Sequence, residues 1–471
     1  MLLDRDARVI PHRRKVSSVE PIRPSARPLE NRQYHVGATE QLARFDRQVF
    51  DLIEQEYKRQ NETLQLIAAE NICSRAVLGA LGSVVQNKTT EGFVGSRFHG
   101  GCDYVDALEQ LAIERACQVF GAQYANVQAH SGTSANHIVL TGVLNPGDKI
   151  LSQGLDQGGH VSHGASVSLT GKIFDVTQYG VEPETFVLDY EKIHAKARDV
   201  QPKMIICGAS AYARTLDFAR FRAIAEDVGA YLLADISHIA GLVAAGVHAS
   251  PIDHAHFVTT STYKPGGPRG GLILMGRDFD KTVSCAFGDR PLWCQLNKTT
   301  FPGVQGTPYL NNVAGKAVFF KEMLTSGYGI RQYAIVENAK ALSDCLIQLG
   351  FEVLTGGTDT HMVLIDISCF SQGMTGLIAQ KSLEECGIIV NMNRLPYDKR
   401  SQNITSGIRL GTPIMTRNGL VADHMPFIAK MVYEVLNAVE VTGPSTYVLD
   451  DSVVDTVRGR VRALCQQFPI Q

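Results

Sequence analysis

The chain has 471 residues, 44% apolar and 20% charged, with 45 basic and 47 acidic side chains giving a net charge of −2. That length suits two compact domains with sizeable cores, and the near-neutral balance excludes a general binder of nucleic acid or acidic membrane. No apolar run approaches the roughly 20 residues of a membrane helix. Ten cysteines are scattered without a C-x-x-C pair, which argues against a zinc ribbon or disulfide scaffold and for a reducing, cytoplasmic setting.

Residues 1–38 read as an irregular arm, with Arg5, Arg8, Arg13, Arg14, Lys15, Arg23 and Arg27 among Pro11, Pro21, Pro24 and Pro28. They offer no apolar stretch for a secretory signal, and Asp4, Asp6 and Glu20 count against a mitochondrial presequence, so a disordered arm is expected. Beyond residue 40 the pattern becomes periodic. Val105, Leu108, Leu111, Ala112, Val119 and Phe120 recur at helical spacing with Gly121 as the stop, predicting a helix over 105–120. A second is predicted over 215–228, capped by Asp217, striped by Phe218, Phe221, Ile224 and Val228, and ended by Gly229. Apolar runs at 204–207, 231–234, 257–258 and 272–275 predict buried parallel strands. Strand and helix alternating over about 200 residues means an α/β fold. After about residue 330 a helix near 331–348, strands near 361–366 and 387–391, and a helix near 417–438 predict a smaller α+β domain. The expected division is a large domain over 39–330 and a small C-terminal one over 331–471.

Three segments carry chemistry. Gln128–Asn136 runs from a short strand through His130, Ser131, Gly132 and Thr133 into a helical pattern, and free N–H groups at a helix start beside hydroxyls can cradle a phosphate. The plainer reading is an ordinary Ser/Thr helix cap. Asp235, at the carboxyl end of a buried strand, lies where ligands bind in open α/β sheets and could hold a protonated heterocyclic nitrogen; it could equally cap the next helix. Lys264 follows a hydroxyl-rich strand and precedes the loop Pro265–Gly271, where a desolvated lysine can serve as a Schiff-base amine. A lone lysine is usually solvated surface, but the glycine-rich loop weighs against that. In this order the three are the parts needed to hold pyridoxal phosphate.

From about residue 40 to 440 the chain strongly resembles serine hydroxymethyltransferase. The resemblance rests on L-I-A-A-E-N (66–71), T-E-G-F-V-G-S-R-F-H-G-G-C-D-Y-V-D (90–106), H-S-G-T-S-A-N (130–136), G-G-H-V-S-H-G (158–164), A-D-I-S-H-I-A-G-L-V-A-A-G (234–246), F-P-G-V-Q-G (301–306) and G-I-R-L-G-T-P (407–413). It implies the aspartate-aminotransferase-like fold (pyridoxal-phosphate fold type I), with a mostly parallel sheet in the large domain. It also implies roles. Lys264 would bond the cofactor, Asp235 would pair with the pyridine nitrogen, and His160 would stack on the ring. Ser131, Gly132 and Thr133 would take the phosphate, with backbone at Gly306 from a partner subunit. Ser210 and His238 would hold the phenolic-oxygen side. Arg409 would fork the substrate carboxylate, a bidentate task suited to guanidinium. Glu91, also from the neighbouring chain, would be the acid/base group near the substrate hydroxyl. Such sharing implies a homodimer or homotetramer. No metal is implied.

The departures from the family pattern lie on the substrate side. Ala69 stands where the family has Ser, Thr89 and His99 replace two tyrosines, and Phe98 lacks a third phenol. Tyr263 replaces a histidine, the stretch from Lys264 to Arg269 is one residue shorter, and Thr307 replaces a glycine beside Gly306. Glu91, Leu155, Phe301 and Asn393 match pterin-side positions, so tetrahydrofolate is a possible co-substrate. Three readings follow: hydroxymethyl transfer at the Cα–Cβ bond of serine or an α-substituted serine; a folate-independent relative acting on a bulkier amino acid or cysteine conjugate by aldol, elimination or decarboxylation chemistry; or a non-catalytic paralogue, which the retention of Lys264, Asp235, His160 and Arg409 disfavours.

Overall fold

A computed structural model describes residues 38–283 and 288–470; the irregular arm expected over 1–38 lies almost wholly outside them. A seven-stranded sheet forms the larger layer. Its strands are β1 (Tyr124–Asn126), β2 (Lys149–Gln153), β3 (Asp175–Tyr179), β4 (Met204–Cys207), β5 (Tyr231–Asp235), β6 (Phe257–Ser261) and β7 (Gly271–Met275), in the order β1-β7-β6-β5-β4-β2-β3. Strands β4, β5 and β6 pair in parallel, and β4 to β7 are buried along almost their whole length. Helices cover both faces, so apolar side chains such as Ile205, Leu233, Phe257 and Leu274 are shielded whichever way they point. Each such side chain contributes roughly 2 kcal/mol by burial.

One expected strand has the other direction. The run at 272–275 was predicted parallel, but β7 is antiparallel to both β6 and β1. Its link to β6 is only residues 262–270, shorter than the dozen or so residues a parallel crossover needs. That short link carries Lys264, so the tight return holds the lysine just past the carboxyl end of β6. The helix predicted over 105–120 forms as Asp103–Phe120, with Gly121 left-handed at φ 66°. The helix predicted over 215–228 forms as Phe218–Asp227, with the Asp217 carboxylate accepting the Arg220 N–H.

A second layer contains the antiparallel strands β8 (Glu352–Val353), β9 (Met362–Asp366), β10 (Asn391–Asn393) and β11 (Gly407–Gly411), in the order β8-β9-β11-β10. Val363, Ile365, Ile408 and Leu410 pack with Val432 and Val435 of helix Met425–Ala438. The helix expected near 417–438 begins only at Met425: Gly419 at φ 104° breaks the chain after Arg417, and Pro426 restarts it in the first turn. Residues Leu64–Gln65 pair in parallel with Ile388–Ile389, and Leu64 and Leu66 join this second core. The strap continues to the Lys264 loop: the Ala68 carbonyl meets His361 Nε2 at 3.1 Å, and Asn71 Nδ2 donates to the Lys264 carbonyl at 3.2 Å. No helix among the described residues is long and apolar enough to cross a membrane.

Candidate active site

Parallel strands end together, and their carboxyl ends deliver the chemistry. Ser210 follows β4, Asp235 closes β5 and Lys264 follows β6. Asp235 is buried and accepts four hydrogen bonds. Oδ2 meets Asn136 Nδ2 at 2.8 Å and His163 Nε2 at 3.0 Å, while Oδ1 accepts the Ser237 N–H at 3.0 Å and the Ser237 hydroxyl at 2.6 Å. Burial pushes this carboxyl up, but the His163 and Asn136 bonds and the neighbouring His160 outweigh it and hold it below the usual carboxylate range. A buried carboxylate kept ionised suits a protonated ring nitrogen. The alternative reading, an Asp capping the next helix, does not hold: that helix, Ala240–Ala244, follows Ile239 without a side-chain cap, and Asp235 Oδ1 instead closes a turn on Ser237.

The partners of Asp235 are themselves fixed. Asn136 Oδ1 accepts the Thr259 hydroxyl at 2.6 Å and its Nδ2 also reaches Ser162 Oγ at 2.9 Å. Ser162 Oγ in turn contacts His160 Nδ1 at 2.8 Å, and the ring centroids of His160 and His163 are 5.6 Å apart. Burial lowers the His160 pKa to about 4, with Asp235 opposing, so a neutral ring faces the cleft at pH 7. The ligating atoms of His160, His163 and Asp235 lie within 4.8 Å of one another. His163 and Asp235 already bond each other, however, so the trio is a hydrogen-bonded pair with a flanking ring rather than an open ligand set. Asn136, Ser162, His163, Ser237 and Thr259 had no role in the sequence reading. Their only local sign is proximity, His163 three residues beyond His160 and Asn136 five beyond Ser131.

Lys264 Nζ donates to Ser261 Oγ at 3.0 Å and lies 4.7 Å from the centre of the Tyr263 ring, which also carries the Arg269 guanidinium at 4.1 Å. An ammonium has three donors, and among the described residues only Ser261 takes one. Arg409, buried on β11, donates Nε to Asn391 Oδ1 at 3.3 Å and Nη1 to the Ser210 carbonyl. Burial lowers its pKa to about 10, and among the described residues no carboxylate pairs with it. Such a guanidinium is a receptor for an incoming carboxylate. His238 lies between the two cations, its ring stacked at 5.6 Å on His361; burial and the charges of Lys264 and Arg409 push it well below its ordinary value.

The phosphate cradle fits its guest. Ser131 caps helix Gly132–Val143 by accepting the Ser134 N–H at 3.0 Å, which is the plain capping role. Beside it the Gly132 and Thr133 N–H groups meet no acceptor among the described residues, as expected at a helix start. A Cβ on Gly132 would come within 3.3 Å of Ser237 Oγ and the Ser261 backbone, so glycine keeps this approach open. Free N–H donors, an ionised Asp235 and a lysine with spare donors form a donor set that suits pyridoxal phosphate.

The remaining expected residues stand apart. Thr89, His99 and Gly306 are exposed and Glu91 is half-buried. The Glu91 N–H donates to His99 Nδ1 at 3.4 Å, and the Thr89 carbonyl accepts Lys88 at 2.8 Å. Arg97 anchors this segment through buried ion pairs at 2.7 Å to Asp106 and Glu109. Phe98 meets Phe301 edge-on at 5.5 Å, which joins the Glu91 segment to the Gly306 loop. None of these four residues bonds Asp235, Lys264 or Arg409 within the described chain.

The serine hydroxymethyltransferase family model matches residues 42–432. A serine hydroxymethyltransferase of Methanosarcina barkeri (strain Fusaro / DSM 804) is 45% identical over 430 residues, covering 91% of this chain and 99% of the relative. With the fold, the strand-end lysine and carboxylate, and the cradle in agreement, the chain belongs to the serine hydroxymethyltransferase family, pyridoxal-phosphate-dependent transferases that use tetrahydrofolate as co-substrate.

Proposed function

We propose that the chain transfers the hydroxymethyl group of L-serine to tetrahydrofolate, leaving glycine, in a site shared between two copies. The observation that carries this reading is the buried Arg409 guanidinium, which pairs with no carboxylate among the described residues and whose charge acts with that of Lys264 on His238. Bound pyridoxal phosphate supplies an electron sink for cleavage of a bond at Cα. Lys264 holds the cofactor covalently, and Asp235 keeps a proton on its ring nitrogen. His160 offers a neutral ring face, and Ser131, Gly132 and Thr133 bind the phosphate. Arg409 grips the amino-acid carboxylate, which aligns the Cα–Cβ bond. Ser210 and His238 line the oxygen side of the ring.

Glu91 from a second copy takes the proton of the substrate hydroxyl as the Cα–Cβ bond breaks, and Gly306 of that copy approaches the phosphate. Two features support sharing. Glu91, Thr89 and His99 bond only within their own segment, and apolar side chains beside it are left exposed, Phe98 by 64%, Tyr104 by 79% and Tyr309 by 52%. A homodimer or homotetramer in the cytoplasm, built of a large domain (39–330) and a small one (331–471), is part of the same proposal. The test is glycine formation from L-serine by cofactor-loaded protein, with and without tetrahydrofolate. Folate-dependent turnover is expected. Cofactor bound but serine inert would mean that Thr89, His99 and Tyr263 have opened the site to a bulkier amino acid.

A further inference from the structure

Lys316 lies outside the residues assigned so far. It belongs to helix Leu310–Met323, is 1% exposed, and points its ammonium under the entry to the cradle. Three carbonyls converge on Nζ: Val127 at 2.6 Å, Ala129 at 3.1 Å and Gly271 at 2.7 Å. The Gly271 N–H also donates to the Ala129 carbonyl at 2.9 Å. Here the chain leaves β1 and β7 and has no further ladder partner on that side. Gln305 grips the same stretch from its other edge, donating Nε2 to the Gln128 carbonyl and accepting the His130 N–H, both at 3.0 Å. Alternate peptide groups of residues 127–130 are therefore held from opposite edges, and the next residues are Ser131, Gly132 and Thr133. The glycine pair that closes the Lys264 loop makes room for this. A Cβ on Gly270 would lie 2.5 Å from Lys316 Cε and 2.9 Å from Nζ, and one on Gly271 would lie 2.1 Å from the Ser131 carbonyl oxygen.

We propose that Lys316 is a positioning residue for the cofactor's phosphate: its amine and Gln305 together hold residues 127–131 extended, so that the N–H groups of Gly132 and Thr133 stay aimed at the phosphate site. The inference rests on the cradle reading given above. Burial draws the lysine down to about 7, and the Glu109 carboxylate opposes this. The three converging carbonyls match the three N–H donors of an ammonium, and this geometry carries the role.

The experiment compares apoprotein affinities for pyridoxal phosphate and for pyridoxal, which lacks the phosphate, by absorbance titration in wild type and Lys316→Met. The substitution keeps volume and removes the donors. Pyridoxal phosphate should bind about 10-fold or more weakly to the variant, as expected for loss of hydrogen bonds that order a charged-ligand site, while pyridoxal changes less than about 2-fold. A merely structural lysine would lower both affinities together or neither, and either result overturns the proposal. If wild-type apoprotein itself binds the two compounds equally, the cradle reading falls and takes the inference with it; if wild type discriminates and Lys316→Met discriminates equally, only the inference falls. Should Lys316→Met not fold, Gly270→Ala displaces the amine by crowding its flexible end, and the same selective loss is expected.

Discussion

On the wall assigned to the cofactor, Asp235 accepts four hydrogen bonds of 3.0 Å or less. On the side assigned to the substrate hydroxyl, Thr89 and His99 are exposed, and Glu91 is held through its backbone, accepting the Phe98 N–H at 3.0 Å and donating to His99 Nδ1 at 3.4 Å. The first wall is preorganised by packing: Asn136, His163 and Thr259 are buried, and none can turn away without orphaning a partner. The second is anchored at its base, by Arg97 between Asp106 and Glu109 and by the buried Gln128 donating to the Gly92 carbonyl, while Thr89 and His99 above it stay exposed. The cofactor wall is thus complete within one chain, and under the proposed reading the substrate-hydroxyl side is completed by a second copy.

The strongest way to break this contrast is Lys264→Ala. Cofactor absorbance bound to protein should vanish and kcat should fall by roughly 10³-fold or more, because no other amine faces Ser261 and Tyr263. Retained absorbance at wild-type wavelength would mean that another lysine holds the cofactor. Asp235→Asn probes the same wall without emptying it. The amide keeps one acceptor for Ser237 but loses the charge, so cofactor should remain bound while kcat drops about 10²- to 10³-fold. Near-normal kcat would remove the ring-nitrogen role. Arg409→Ala should raise the serine KM about 100-fold, since a bidentate charged contact is lost, and leave cofactor absorbance unchanged. Unchanged amino-acid affinity would show that the carboxylate binds elsewhere.

How much of this was legible in the sequence depended on how local the cause was. Gly121 and Asp217 mark helix ends by their own conformational and capping chemistry, and both helices form close to the expected positions. The four apolar runs were readable as strands, but the direction of β7 was set by the length of its link rather than by its composition. Lys264 and Asp235 announce themselves because ionisable residues at the ends of buried strands are costly without a function, whereas Arg409, in the middle of β11, is reached only through the family resemblance. Asn136, His163 and Lys316 give no such sign, because the partners that define their roles lie 99, 72 and 45 to 189 residues away in the chain. Only folding brings those atoms together.

The contrast sharpens if two dead proteins are mixed. Lys264→Ala lacks the cofactor lysine, and Glu91→Gln lacks the group assigned to the opposite wall. In a shared site, a mixed dimer has one cleft with both defects and one with neither. Random re-assortment makes half of the dimers mixed, each with one working cleft of two, so about a quarter of wild-type activity should return. Zero recovery on mixing, with subunit exchange verified, would place Glu91 in the same cleft as its own Lys264.

The smallest effect tests the buried wall by pH. His361 Nε2 contacts the Ala68 carbonyl at 3.1 Å, so the ring donates there, and Nδ1 is buried with no partner among the described residues. Burial, with the Arg409 charge beside it, lowers the His361 pKa from 6.5 to about 3. The folded ring therefore stays neutral where an unfolded one takes up a proton. Below pH 6.5 the unfolded chain binds more protons at this position, so its contribution to stability is lost as pH falls from 6.5 toward about 3. Urea denaturation of the apoprotein between pH 6.5 and 4.5 should follow that slope, and His361→Asn should flatten it by up to about 1.4 kcal/mol per pH unit. A slope unchanged by the substitution would mean that Nδ1 protonates freely in the folded state, and that this wall is wetter than its hydrogen bonds imply.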